Sequence, residues 1–167
     1  NTLFELAKQL KIEYAKGQFN DDLKNKTLGM IFFDPSTRTR TSFEAAMTQL
    51  GGHSIFFAPD TMQISHGEGA KDTAKVLSGY LQALAVRICK YGDGNRYLEE
   101  LRAAASIPIV NMQCDIYHPA QILADYLTIM EHFGENTRGL KIGVSWTYAP
   151  NYMRPVSVPQ SLILLMS

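Results

Sequence analysis

Residues 32 to 52 read FFDPSTRTRTSFEAAMTQLGG, and Ser36, Thr37, Arg38, Thr39 and Arg40 stand side by side where an apolar run gives way to a helix-forming one. Three hydroxyls and two guanidiniums in five positions are a dense set of hydrogen-bond donors, and the chemistry they suit is the holding of an anion. A helix N-terminus leaves backbone N–H groups unpaired and carries partial positive charge. Phosphate binds well there, with hydroxyls as directed donors and Arg38 as a charged fork. The plainer alternative is that Ser36 only caps the helix while the arginines are solvated; the repeated Thr-Arg favours the anion site. Arg40, two residues beyond Arg38, leaves the helix on another side and is assigned a structural role.

Two more segments carry chemistry. Arg87 lies in LAVRICKYG, amid apolar residues, where burying an unpaired guanidinium is costly. It either reaches water at a strand end or faces an anion. HPAQ places His118 at a helix start and Gln121 one turn on, on the same face. A histidine near a helix N-terminus has its cationic form disfavoured and can serve as a neutral donor to a carbonyl; the alternative is an N-cap histidine without a ligand. His53 and His132 are left as structural or surface residues. The histidines and cysteines show no metal-ligand spacing such as HExxH or CxxC, so no metal is expected. Cys89 and Cys114 lack an evident base partner, so no covalent nucleophile is expected either.

The elements that must position these groups follow from the pattern of apolar residues. Helical spacing runs through 3–16, and the apolar runs 28–33, 53–57, 83–88 and 107–112 read as strands. Between them, helices are expected from Ser36 to a stop at Gly51, over 70–82, over 95–106 and over 118–134, the last with Pro119 in its first turn. Strands alternating with helices argue for an α/β fold, a parallel sheet with helices on both faces and right-handed crossovers. Ligands of such sheets bind beyond the carboxyl ends of the strands. STRTR and His118 with Gln121 follow such ends, and Arg87 sits near the carboxyl end of the run 83–88. The connector 134–141 divides a first domain, 1–134, from residues 135–167, where LKIGVSW would open the first strand of a second α/β unit. A start without Met and a finish in the apolar run SLILLMS lead us to expect a longer protein.

Composition bounds the partners. The net charge is zero, so no global field draws nucleic acid or an anionic membrane, and any anion site must be local. No apolar run approaches the roughly 20 residues of a membrane span. Two cysteines make no disulfide framework and fit a reducing cytoplasm.

STRTR, an arginine after AV, and HPAQ, in this order, resemble the aspartate/ornithine carbamoyltransferase family over nearly the whole chain. The resemblance implies a first domain that binds carbamoyl phosphate and a second that binds the amino acid receiving the carbamoyl group, without a cofactor. It implies that Ser36, Thr37, Arg38 and Thr39 hold the phosphate, that Arg87 bridges phosphate and carbonyl oxygen, that His118 donates to that oxygen and that Gln121 orients the carbamoyl amide. Thr39, Arg87 and His118 would be the catalytic donors. SHGEGAKDT, residues 65–73, looks like the family's loop that enters a neighbouring subunit's site within a trimer. There Glu68 would meet the neighbour's Arg38, and His66 stands where aspartate carbamoyltransferases have a catalytic lysine, a departure that weighs against aspartate as acceptor. QCDIYHPAQ and residues 145–160, with Pro150, Pro155 and Pro159, are closer to the knotted branch that includes N-acetyl- and N-succinylornithine carbamoyltransferases and a transcarbamylase of unknown substrate; read without the family, 145–160 is an ordinary surface loop. The rivals are a non-catalytic relative that keeps the phosphate site and a dinucleotide-binding domain; the latter is disfavoured because no GxGxxG follows the first strand.

Overall fold

The computed structural model describes residues 2–145 and 156–167. Four strands, β1 (Thr27–Phe32), β2 (His53–Phe57), β3 (Ala83–Ile88) and β4 (Ile109–Cys114), form one parallel sheet in the order β2-β1-β3-β4. The helices are α1 (Thr2–Ala15), α2 (Arg38–Gln49), α3 (Ala70–Ser78), α4 (Gly94–Ala104), α5 (Pro119–Phe133) and α6 (Ser157–Met166).

Alternation along the buried strands sorts side chains to two faces. Leu28, Met30 and Phe32 of β1 pack with Met47 and Phe43 of α2, together with Ala85 and Met112. Ile31 faces the other way, joining Leu84, Val86 and Ile88 against Ala70 and Ala74 of α3 and Leu98 and Leu101 of α4. Both faces are covered, as a parallel sheet requires. α1 lies along α5, with Phe4 and Tyr126 rings 5.5 Å apart and Lys11 paired with Glu131 at 2.7 Å.

The strand order fixes where a ligand can sit. From β1 the chain moves outward to β2, then returns to place β3 on the other side of β1. The switch point between β1 and β3 opens a crevice at their carboxyl ends, and both STRTR and Arg87 stand there.

Several boundaries differ from expectation. β4 begins at Ile109 and runs on to Cys114, two residues later than its apolar run implied, since Pro108 supplies no N–H for the ladder. α3 ends at Ser78, before Gly79. α2 starts at Arg38 rather than at a Ser36 cap. LKIGVSW forms no strand over its described residues 140–145; a strand needs a neighbour for its N–H and C=O groups, and the described chain presents none to it. Pro159 lies in the first turn of α6, where proline is tolerated. Pro150 and Pro155 lie outside the described residues. Among the described residues no helix is long and apolar enough to cross a membrane.

Candidate active site

The residue preceding α2 is Thr37, already in helical backbone (φ −81°, ψ −57°), and no side chain caps the first turn. Capping needs an extended residue whose oxygen turns back onto the N2 or N3 amide, and Thr37 is not in that geometry. The N-terminal amides of a 12-residue helix are therefore left uncapped by side chains, beside Ser36, Arg38 and Thr39. Arg40 points elsewhere: its guanidinium lies 3.6 Å above the Phe56 ring, and its Nε donates to Glu44 Oε1 at 3.0 Å.

Arg87 sits on an inner strand, opposite Phe32 of β1 and Gln113 of β4. Its Nε is buried without a partner among the described residues. His118 immediately precedes α5, whose first residue is Pro119. The His118 ring is buried, its backbone N–H donates to Ser161 Oγ of α6 at 3.0 Å, and its Nδ1 also lacks a partner. Burial, reinforced by the charge of Arg87, lowers the His118 pKa to about 4. The imidazole is thus neutral near pH 7 and offers one N–H as a donor. Native proteins seldom leave buried polar atoms unpaired. Among the described residues Arg87 Nε and His118 Nδ1 share that state with Tyr97 Oη and Asn111 Oδ1, and of the four residues only Arg87 and His118 line the cavity at the start of α2.

A cavity of about 750 Å³ gathers these groups. Ser36, Thr37, Arg38 and Thr39 line it from the start of α2, Arg87 from β3, and His118 and Gln121 from the start of α5. Gln121 is exposed, and its Nε2 donates to Asp125 Oδ1 at 2.8 Å. His66 and Glu68 do not line the cavity. His66 is exposed at the end of a short 3-10 turn, and Glu68 Oε1 accepts a 2.6 Å bond from Thr73 Oγ1.

Residues that sequence reasoning passed over hold the loops in place. Asp34 Oδ2 accepts the Cys89 N–H at 2.7 Å, tying the β1–α2 loop to the end of β3 across the switch point. The buried Asp115 carboxylate accepts Asn95 N–H at 2.7 Å and Gly92 N–H at 2.9 Å, fixing the loop before His118 to the start of α4. Gln113 and two α6 residues, Val158 and Pro159, also form part of the wall. A signal was present for Asp34 and Asp115: each is an acid just after a strand, where N–H groups of the next loop want acceptors.

Fold and site together define a class, a parallel α/β domain that brings cationic and neutral donors to one crevice at its topological switch point. More particularly, the chain belongs to the aspartate/ornithine carbamoyltransferase family, whose carbamoyl-P binding domain matches residues 1–131. Ornithine carbamoyltransferase of Archaeoglobus fulgidus is 45% identical over 133 residues, 80% of this chain and 42% of that one. The solved ornithine carbamoyltransferase of Pyrococcus furiosus superposes with a TM-score of 0.74 at 44% identity, covering 80% of this chain and 41% of that one. A variant of N-acetyl-L-ornithine transcarbamylase, solved with carbamyl phosphate and N-succinyl-L-norvaline, superposes with a TM-score of 0.81 at 29% identity, over 98% of this chain and 54% of that one. The chain spans less than half the length of the curated relatives it matches.

Proposed function

We propose that this chain is the carbamoyl-phosphate-binding part of an enzyme that moves the carbamoyl group of carbamoyl phosphate to the amino group of an ornithine-like amino acid, releasing phosphate. The observation that carries the proposal is the convergence of Arg38, Arg87 and His118 on one cavity at the uncapped start of α2. Family membership and a relative solved with carbamyl phosphate support it.

In this reading the α2 N-terminus, Ser36, Thr37, Arg38 and Thr39 take the phosphate, where helix polarity and charge-assisted bonds act together. Attack of the amine on the carbonyl carbon develops negative charge on the carbonyl oxygen. Thr39, Arg87 and neutral His118 are the donors for it, each worth on the order of 3 kcal/mol where water is excluded. Gln121 would leave Asp125 to orient the carbamoyl amide. Breakage of the C–O bond returns the electron pair to the phosphate, whose charge Arg38 and the α2 N-terminus offset in part, and the departing phosphate takes up the proton that the amine nitrogen loses. No covalent intermediate is required, so positioning supplies much of the rate.

We further propose that residues 1–134 form one domain, that 135–167 begin the acceptor-binding one, and that the active assembly is a cytoplasmic homotrimer. The trimer reading rests on the likeness of residues 65–73 to the family's loop that enters a neighbouring subunit's site, and His66 and Glu68 are not among the residues lining their own chain's cavity. The knotted branch is supported by the coverage of 98% against the N-acetyl-L-ornithine transcarbamylase, where the solved ornithine carbamoyltransferase covers 80%.

The test is turnover by the full-length polypeptide with carbamoyl phosphate and L-ornithine, N-acetyl-L-ornithine, N-succinyl-L-ornithine or L-aspartate. Equal amounts of phosphate and carbamoylated amine are expected with an ornithine-like acceptor. Phosphate release no faster than spontaneous hydrolysis with every amine would instead make the protein a binding relative without transfer chemistry.

A further inference from the structure

The pairing of β3 with β4 is irregular: Val86 faces Asn111, but the next residue, Arg87, faces Gln113. Met112 is therefore the extra residue of a bulge, a feature that re-aims side chains beside active sites. In regular pairing Arg87 would stand opposite the fully buried, apolar Met112. The bulge gives that place to an amide, and Gln113 lines the cavity. A buried amide is costly without partners. Gln113, 4% exposed, donates from Nε2 to Ser157 Oγ of α6 at 2.9 Å, and Ser157 is itself fully buried. One turn along α6, Ser161 Oγ accepts the His118 backbone N–H. Hydroxyls four residues apart share a helix face, so α6 meets the site through two hydrogen bonds, one to Gln113 and one to His118. Between these serines, Val158 and Pro159 line the cavity.

We propose that Gln113 and Ser157 form a latch that holds α6 as one wall of the cavity, making Gln113 a positioning residue that keeps His118 dry and sets the room left for the amine. The assignment of that room to an amine rests on the carbamoyl-transfer reading; the latch itself does not.

The test uses the full-length polypeptide and two readouts. NMR titration of the His118 ring reports its shielding, with Arg87 and Asp125 as the charged groups that also act on it; calorimetry with inorganic phosphate reports the anion site. Gln113→Met keeps length and packing while removing the donor, and Ser157→Ala removes the acceptor. Each is expected to raise the His118 midpoint by half a pH unit or more, about threefold in ionisation constant. The double variant should go no further than either single one, since both break the same bond. Phosphate affinity should stay within twofold throughout. Unchanged titration in both single variants, or fully additive shifts in the double variant, would overturn the latch. Phosphate binding weakened tenfold in both variants would make the pair part of the anion site and overturn the positioning role. Arg38→Ala serves as the separate control: if it leaves phosphate affinity intact, the carbamoyl-phosphate reading fails while the titration result stands.

Discussion

Acid should destabilise this protein through His118 in a way that a single substitution isolates. The native imidazole protonates only near pH 4, because it is buried and then because Arg87 is close, while the ordinary value is 6.5. Between those limits the unfolded chain binds a proton that the native chain does not, so stability falls as pH falls. At about 1.4 kcal/mol for each tenfold change, the loss reaches about 2 kcal/mol at pH 5 and about 3 kcal/mol at pH 4. Carboxylates titrate in the same range, so the comparison is between the wild-type chain and His118→Gln, which shares every other group. Urea unfolding followed by tyrosine and tryptophan fluorescence at pH 7, 6 and 5 gives the difference in stability. Whatever advantage wild type has at pH 7 should shrink by about 2 kcal/mol at pH 5. A difference flat to within about 0.5 kcal/mol would refute the reasoning, because a solvated histidine titrates alike in both states.

Other outcomes follow from the same contacts. On the proposed reading Arg38→Ala removes a charge-assisted contact to the phosphate worth about 1.5–3 kcal/mol, so inorganic phosphate should bind roughly ten- to a hundredfold more weakly by calorimetry while the unfolding midpoint is kept. Asp115→Ala leaves the Gly92 and Asn95 N–H groups without their acceptor; Gly92 is exposed and Asn95 half-buried, so each loss falls at the low end of about 1–3 kcal/mol, and denaturant unfolding should show about 2–3 kcal/mol of lost stability. Burial pushes the Cys89 thiol up to about 12, and the thiolate is the reactive form. Iodoacetamide at pH 8 should therefore label Cys89 in urea but hardly at all in the native chain, as read by mass spectrometry.

The parts of the site legible in the sequence were those with local signatures. STRTR directly follows an apolar run, HPAQ places a proline in the first turn of a helix, and an arginine among AV and IC stands out by its charge. Alternation of strands and helices then put all three at one sheet edge, and the cavity does gather them. What stayed hidden depends on register and on distant chain. Gln113 reads as the residue after a strand, and only the bulge at Met112 brings it beside Arg87. Ser157 and Ser161 are small polar residues in an apolar helix, and their meaning comes from partners 44 and 43 residues away. Ser36 as a cap was misplaced because Thr37 is already helical, a backbone fact that composition does not carry.

The central claim is tested most directly by a crystal structure of the full-length protein soaked with carbamoyl phosphate. The account predicts the phosphate against the first amides of α2 and the Arg38 guanidinium, with the carbonyl oxygen turned toward Arg87 and the His118 ring. Density for the ligand at a site that touches neither Arg38 nor Arg87 would contradict it.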